Sequence, residues 1–107
     1  MKTIAINGQR LLSELATLGQ IGADPAGGVT RPAYGATEKA ARAWFTERAK
    51  EAGLKVTIDA VGNALALERD AGDAPPVLSG SHLDTVPNGG RFDGMLGVVS
   101  ALEAIRS

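Results

Sequence analysis

Gly80-Ser81-His82-Leu83-Asp84-Thr85-Val86-Pro87-Asn88-Gly89-Gly90-Arg91-Phe92-Asp93-Gly94 is the stretch on which the reading of the chain turns. It carries the only histidine among 107 residues, a carboxylate two positions later, and a second carboxylate beyond a glycine-rich bend. Pro76-Val77-Leu78 leads in, and Met95 to Ile105 leads out with apolar residues at helical spacing. Val77 to Ser81 reads as a short central strand covered on both faces. In open α/β sheets ligands gather at the carboxyl ends of strands, so His82 is predicted at a strand end and Asp93 at a helix start.

Those residue types suit a metal ion. Neutral imidazole and carboxylate oxygens both serve zinc and its first-row neighbours. A ligating histidine needs its other ring N–H held by an acceptor. Asp84 is placed for that, because residues two apart in an extended segment point the same way. Asp93 offers two oxygens, enough to bridge two ions about 3.5–4 Å apart. Plainer readings compete: Asp84-Thr85 as an Asx turn, and Asp93 as an N-cap worth about 1 kcal/mol without any metal. The three polar groups and the glycines together favour half of a metal site. Arg31, in a glycine-flanked loop, reads as a surface charge, with contact to an anionic substrate as the alternative. Ser79-Gly80-Ser81-His82 lacks the G-x-S-x-G nucleophile elbow, and Gly89 to Gly94 matches neither a Walker loop nor a dinucleotide fingerprint.

Outward from that stretch, a helix is predicted from Asn7, its N-cap, to Leu18, with Leu11, Leu12, Leu15 and Leu18 on one face and Gly19 as the stop. Gly22 to Gly35 is loop by composition. A second helix starts at Thr37 as N-cap. It places Ala41, Trp44, Phe45, Ala49 and Ala52 on one face, pairs Glu38 with Arg42, and ends at Gly53. Leu54 to Asp59 alternates as a half-buried strand, Ala60 to Asn63 turns, and Ala64 to Glu68 returns as a hairpin. The last helix, Gly94 to about Arg106, is apolar nearly all round and wants cover on more than one side.

Composition is that of a globular domain, with 44% hydrophobic and 21% charged residues and a formal net charge of −1. No nucleic-acid or anionic-membrane partner is expected. Without cysteine there are no disulfides or thiolate–metal sites. No leader-like or membrane-length apolar run is seen, so a soluble cytoplasmic protein is the expectation. Residues 1–107 read as one α/β unit with about three strands, the opening portion of a larger fold, with poor solubility in isolation.

The Gly80–Gly94 segment closely resembles the metal-site segment of N-carbamoyl-L-amino-acid hydrolases, shared with allantoate amidohydrolases and β-ureidopropionases of the dinuclear metallo-exopeptidase superfamily. Gly28-Val29-Thr30-Arg31 and Asp59-Ala60-Val61-Gly62-Asn63 resemble upstream segments of the same group. Asp93-Gly94-Met95-Leu96-Gly97-Val98 is similar to the carbamoylase type rather than to the aminopeptidases and deacylases of the superfamily. The resemblance implies the amino-terminal part of an incomplete zinc-exopeptidase-like three-layer α/β fold, helices packed on a mixed sheet. It implies His82 as a ligand of one metal, Asp93 as the bridge, Asp84 as the residue that orients His82, and a cis peptide at Asp93–Gly94. Two divalent ions (Zn, Mn, Co or Ni) and a small ureido or carbamoyl substrate follow, with a homodimer for the complete enzyme. The catalytic glutamate, the remaining ligands and a lid or dimerisation domain would lie beyond Ser107, Glu103 not matching the glutamate. The chain alone is then expected to be inactive and to bind metal weakly. A sibling metallopeptidase or deacylase, or a truncated non-catalytic protein, are the rival readings.

Overall fold

A computed structural model describes residues 3–107. Helix α1 spans Gly8–Gln20, α2 Ala36–Glu51 and α3 Met95–Arg106, with strands β1 Lys55–Ile58 and β2 Ala64–Leu67 between the second and third helices. Asn7 caps α1 as predicted, its side chain accepting the Arg10 N–H. Leu15 and Leu18 are buried, whereas Leu12, 100° around the helix from Leu11, faces solvent. Gly19 does not stop α1. The helix runs to Gln20 and ends at Ile21, whose N–H bonds back to the Leu18 carbonyl.

Helix α2 starts two residues earlier than the Thr37 cap allows. Gly35 is its N-cap and makes no side-chain bond, while the Thr37 hydroxyl turns instead to the Thr30 carbonyl at 3.5 Å. Glu38 and Arg42 pair at 3.0 Å as their spacing requires. The hairpin is present and antiparallel, Lys55 opposite Leu67 and Ile58 opposite Ala64. Asp59 closes its turn, accepting the N–H groups of Val61 and Asn63 on one oxygen and the Asn63 amide on the other.

Helix α3 joins two apolar clusters. Met95 and Val99 pack with Leu15, Leu18, Val29 and Ala41, and Trp44 and Leu83 close that group from outside. One turn on, Leu102 meets Ala49 and Leu54, flanked by Phe45, Val56 and Ala66. Each leucine, valine or methionine fully buried in these clusters contributes roughly 1.5–3 kcal/mol. Leu96 and Ile105 remain about half exposed, so one side of α3 stays uncovered.

The predicted central strand at Val77–Ser81 does not form. Residues 75–86 run without regular structure, Val77 is 99% and Leu78 72% exposed, and the sheet has two antiparallel strands rather than a mixed set of three or more. A strand exists only where a neighbour supplies its ladder, and β1 and β2 hydrogen-bond only to each other.

Far from the site, α1 and α3 are stapled together. The buried Glu103 carboxylate accepts from Arg10 Nε at 2.7 Å and Nη2 at 2.9 Å and from the Asn7 N–H at 2.7 Å, and Arg106 reaches Glu14 at 2.9 Å. Arg10 above all, with the Asn7 N–H, lowers the Glu103 carboxyl from 4.5 to about 2. A carboxyl whose folded pKa lies below its unfolded one stabilises the fold fully above pH 4.5, and the contribution is lost as pH falls toward 2. Glu103→Gln should therefore lower the melting temperature at neutral pH and flatten its fall between pH 4.5 and 2. Asp24, held low by Thr30 and Ala26, and Asp59, held low by Asn63, account for slope that remains. Thermal melts followed by circular dichroism across that range decide the matter.

Candidate metal centre

His82 and Asp93, eleven positions apart, face each other. The imidazole Nε2 lies 3.7 Å from Asp93 Oδ2. On the ring's other side, Nδ1 lies 2.8 Å from the Asp84 backbone carbonyl and 3.4 Å from the Asp84 carboxylate. The predicted acceptor residue is thus present, but its main chain stands nearer than its side chain. An acceptor at Nδ1 holds the proton there and leaves the Nε2 lone pair directed at the Asp93 side. The side chains of His82, Asp84 and Asp93 are 50, 47 and 74% exposed, so solutes reach all three without rearrangement.

Asp93 does not cap α3. The N-cap is Gly94, with no side-chain capping bond, which leaves both Asp93 oxygens free of that task. The expected cis peptide at Asp93–Gly94 is also not found: no cis bond occurs among the described residues. The turn into α3 is made instead by Gly94 at φ 73°, a conformation open to glycine at little cost. A Cβ there would come within 2.6 Å of His82 Nδ1. At Gly97 one would meet the Ser81 Cβ at 2.6 Å. Two missing side chains on the first turn of α3 thus let the histidine-bearing segment lie against it.

A second support comes from upstream. Val29 exchanges backbone hydrogen bonds with Gly89 at 2.9 and 2.8 Å, and Gly28 N–H donates to Asn88 Oδ1. The buried Thr85 hydroxyl accepts the Arg31 N–H and donates to the Val29 carbonyl, each at 2.9 Å, while the Thr85 N–H bonds to Arg31 O at 2.8 Å. Arg31 is neither a surface charge nor poised for an anionic ligand. It is 0% exposed, and its guanidinium donates to the carbonyls of Leu18, Ile21 and Leu83. Burial pushes its pKa down. Sequence reasoning missed Arg31 and Thr85 as supports. The available signal was that Gly28-Val29-Thr30-Arg31 carries glycine beside polar residues able to grip another backbone.

The donor set fits a divalent ion. Ligands about 2.0–2.2 Å from a common zinc ion span 3.7 Å at an obtuse angle, and a nitrogen–carboxylate pair suits that class of metal. No group of three or more His, Cys, Asp or Glu side chains placed to hold an ion occurs among the described residues, so the chain offers a half-site. Glu103 stands with Arg10 in the α1–α3 staple and takes no part in it. Beside His82 and Asp84 opens a groove of about 640 Å³, lined by Phe45, Leu65, Val77 and Leu102 among others.

No family model matches the chain. Among known proteins, it is 45% identical over 103 residues, 95% of its length, to an N-carbamoyl-L-amino acid amidohydrolase of Geobacillus stearothermophilus, covering 25% of that relative. It is 42% identical over 100 residues to the allantoate amidohydrolase of Escherichia coli K12, covering 91% of this chain and 24% of that one. A crystal structure of an amidase of the hydantoinase/carbamoylase family from Burkholderia multivorans superposes with a TM-score of 0.93 at 45% identity, over 98% of this chain and 26% of that one. The chain thus spans about a quarter of the length of the relatives it matches.

Gly94→Ala combines a left-handed backbone strain of ~1–3 kcal/mol with a collision against His82. The expected outcome is a lower urea midpoint together with a displaced His82 ring resonance. An alanine variant with the wild-type midpoint and resonance would contradict this account of the approach.

Proposed function

We infer that this chain, a homologue over nearly its whole length of the N-carbamoyl-L-amino-acid and allantoate amidohydrolases, contributes the first metal-binding half of a hydrolase acting on linear C–N bonds of ureido or carbamoyl compounds. The observation that carries the reading is the 3.7 Å approach of His82 Nε2 to Asp93 Oδ2, in a chain 45% identical over 95% of its length to an N-carbamoyl-L-amino acid amidohydrolase. His82 is proposed as ligand to one ion, Asp93 as bridge between two, and Asp84 as the residue that fixes the ring.

Held by His82 and Asp93, a divalent ion (zinc, manganese, cobalt or nickel) would supply Lewis acidity for the carbonyl of the scissile bond and acidify water, whose pKa such ions bring toward ~7. The chain's own residues have narrower tasks. The Asp84 carbonyl keeps the proton on Nδ1, so Nε2 presents a lone pair and not a hydrogen. Asp93 brings negative charge and two acceptor oxygens to the same point, unspent on capping. Gly94 and Gly97 hold the segment close enough for both groups to meet. Two protein ligands fall short of the three a catalytic zinc normally takes, so residues 1–107 alone are proposed to bind metal weakly and not to turn over. Further ligands, the proton-shuttling glutamate and a homodimer belong to the proposal for the complete enzyme. No described helix is long and apolar enough to cross a membrane.

The test is a chimera in which residues 1–107 replace the matching quarter of the Geobacillus amidohydrolase. Supplied with divalent metal, it should release free amino acid and ammonia from an N-carbamoyl-L-amino acid. His82→Ala and Asp93→Ala should abolish release, while Asp84→Asn, which keeps the backbone carbonyl nearest Nδ1, should cost less than either. A folded chimera inert on ureido substrates but active on dipeptides or acyl-amino acids would move the assignment to a peptidase or deacylase.

A further inference from the structure

Arg31 is the largest fully buried side chain among the described residues, and nothing in the chemistry above uses it. Its Nη1 donates to the Leu83 carbonyl at 2.9 Å, its Nη2 to the Leu18 and Ile21 carbonyls at 2.5 and 2.6 Å, and its Nε to Ile21 again at 3.1 Å. Leu83 stands between His82 and Asp84, and its side chain packs against the core formed by α1 and α3. In an extended segment the neighbours of an inward residue point outward. Whatever fixes Leu83 therefore sets where the imidazole and its acceptor emerge.

We propose that Arg31 is a positioning residue of the metal half-site: its guanidinium binds the Leu83 carbonyl to the carboxyl end of α1 and so sets the distance at which His82 meets Asp93. The proposal rests on the reading of His82 and Asp93 as metal ligands. A rigid planar fork is what the geometry demands, because three carbonyls from two segments are engaged at once. Lysine carries the same charge as a single ammonium on a flexible stem and cannot reproduce that span. The Arg31 main chain adds to the hold, its N–H and C=O both engaged by Thr85, so loop and segment are located by one residue.

His82 is the only histidine of the chain, so its ring gives an unambiguous nitrogen-15 signature. The experiment records that signature and Co²⁺ affinity by calorimetry for wild type, Arg31→Lys and Val29→Ala. Val29 lies in the same core, and shortening its side chain destabilises the fold without removing a hydrogen bond to Leu83. Arg31→Lys, folded by circular dichroism, should shift the His82 resonance and weaken Co²⁺ binding at least tenfold. Val29→Ala should leave both near wild type in its folded state, even where it melts as early. A folded Arg31→Lys that keeps resonance and affinity overturns the proposal, as does a Val29→Ala that loses both equally. Should wild type take up no Co²⁺, the ligand reading fails, and the His82 resonance alone decides whether Arg31 sets the segment.

Discussion

A guanidinium sealed from water, with carbonyl oxygens and no carboxylate as its hydrogen-bond partners, is the constraint on which this arrangement depends. Taking a cation out of solvent is expensive unless hydrogen bonds replace its hydration. Arg31 meets that demand at the carboxyl end of α1, where the helix dipole concentrates partial negative charge and the last carbonyls lack helical partners. Both deficits are met by one contact: α1 has orphan acceptors and Arg31 has unsolvated donors. The remaining hydrogen bond of the guanidinium, from Nη1, goes to Leu83, which is how a helix-capping solution comes to reach the candidate site.

The other half of the geometry is made by what α3 lacks. Its first turn would collide with the His82 segment if Gly94 or Gly97 carried a side chain. The same left-handed Gly94 takes the N-cap position that Asp93 would otherwise occupy. A carboxylate that could have stabilised a helix end is thereby left directed at an imidazole. Polar groups diverted from local structural use are where chemistry is to be sought.

Much of the scaffold was legible in the sequence because its causes are local. Asn7 as a cap, the Glu38–Arg42 pair and the hairpin turn around Asp59 each follow from a few neighbouring residues. His82, Asp84 and Asp93 were singled out by spacing and type, and the structure brings them together. What could not be read depends on distant partners. Val77–Ser81 has the composition of a strand, but composition supplies no neighbour for its backbone. Arg31 looked superficial because charge predicts exposure on average, and only the fold shows three carbonyls waiting for it. The Gly94 turn was expected to bend through its peptide bond and bends through φ instead, an alternative that residue identity alone does not separate.

The Glu103–Asn7 contact joins positions 96 residues apart, and it has a bearing on how the molecule is made. Within residues 1–107, α1 leaves the ribosome before α3, so its buried Leu15 and Leu18 wait through the synthesis of the whole intervening stretch before that packing surface exists. Closing so long a loop carries an entropic toll, and contacts so distant in sequence form late in folding. Nascent α1 is accordingly the segment most in need of shelter by a chaperone while translation proceeds.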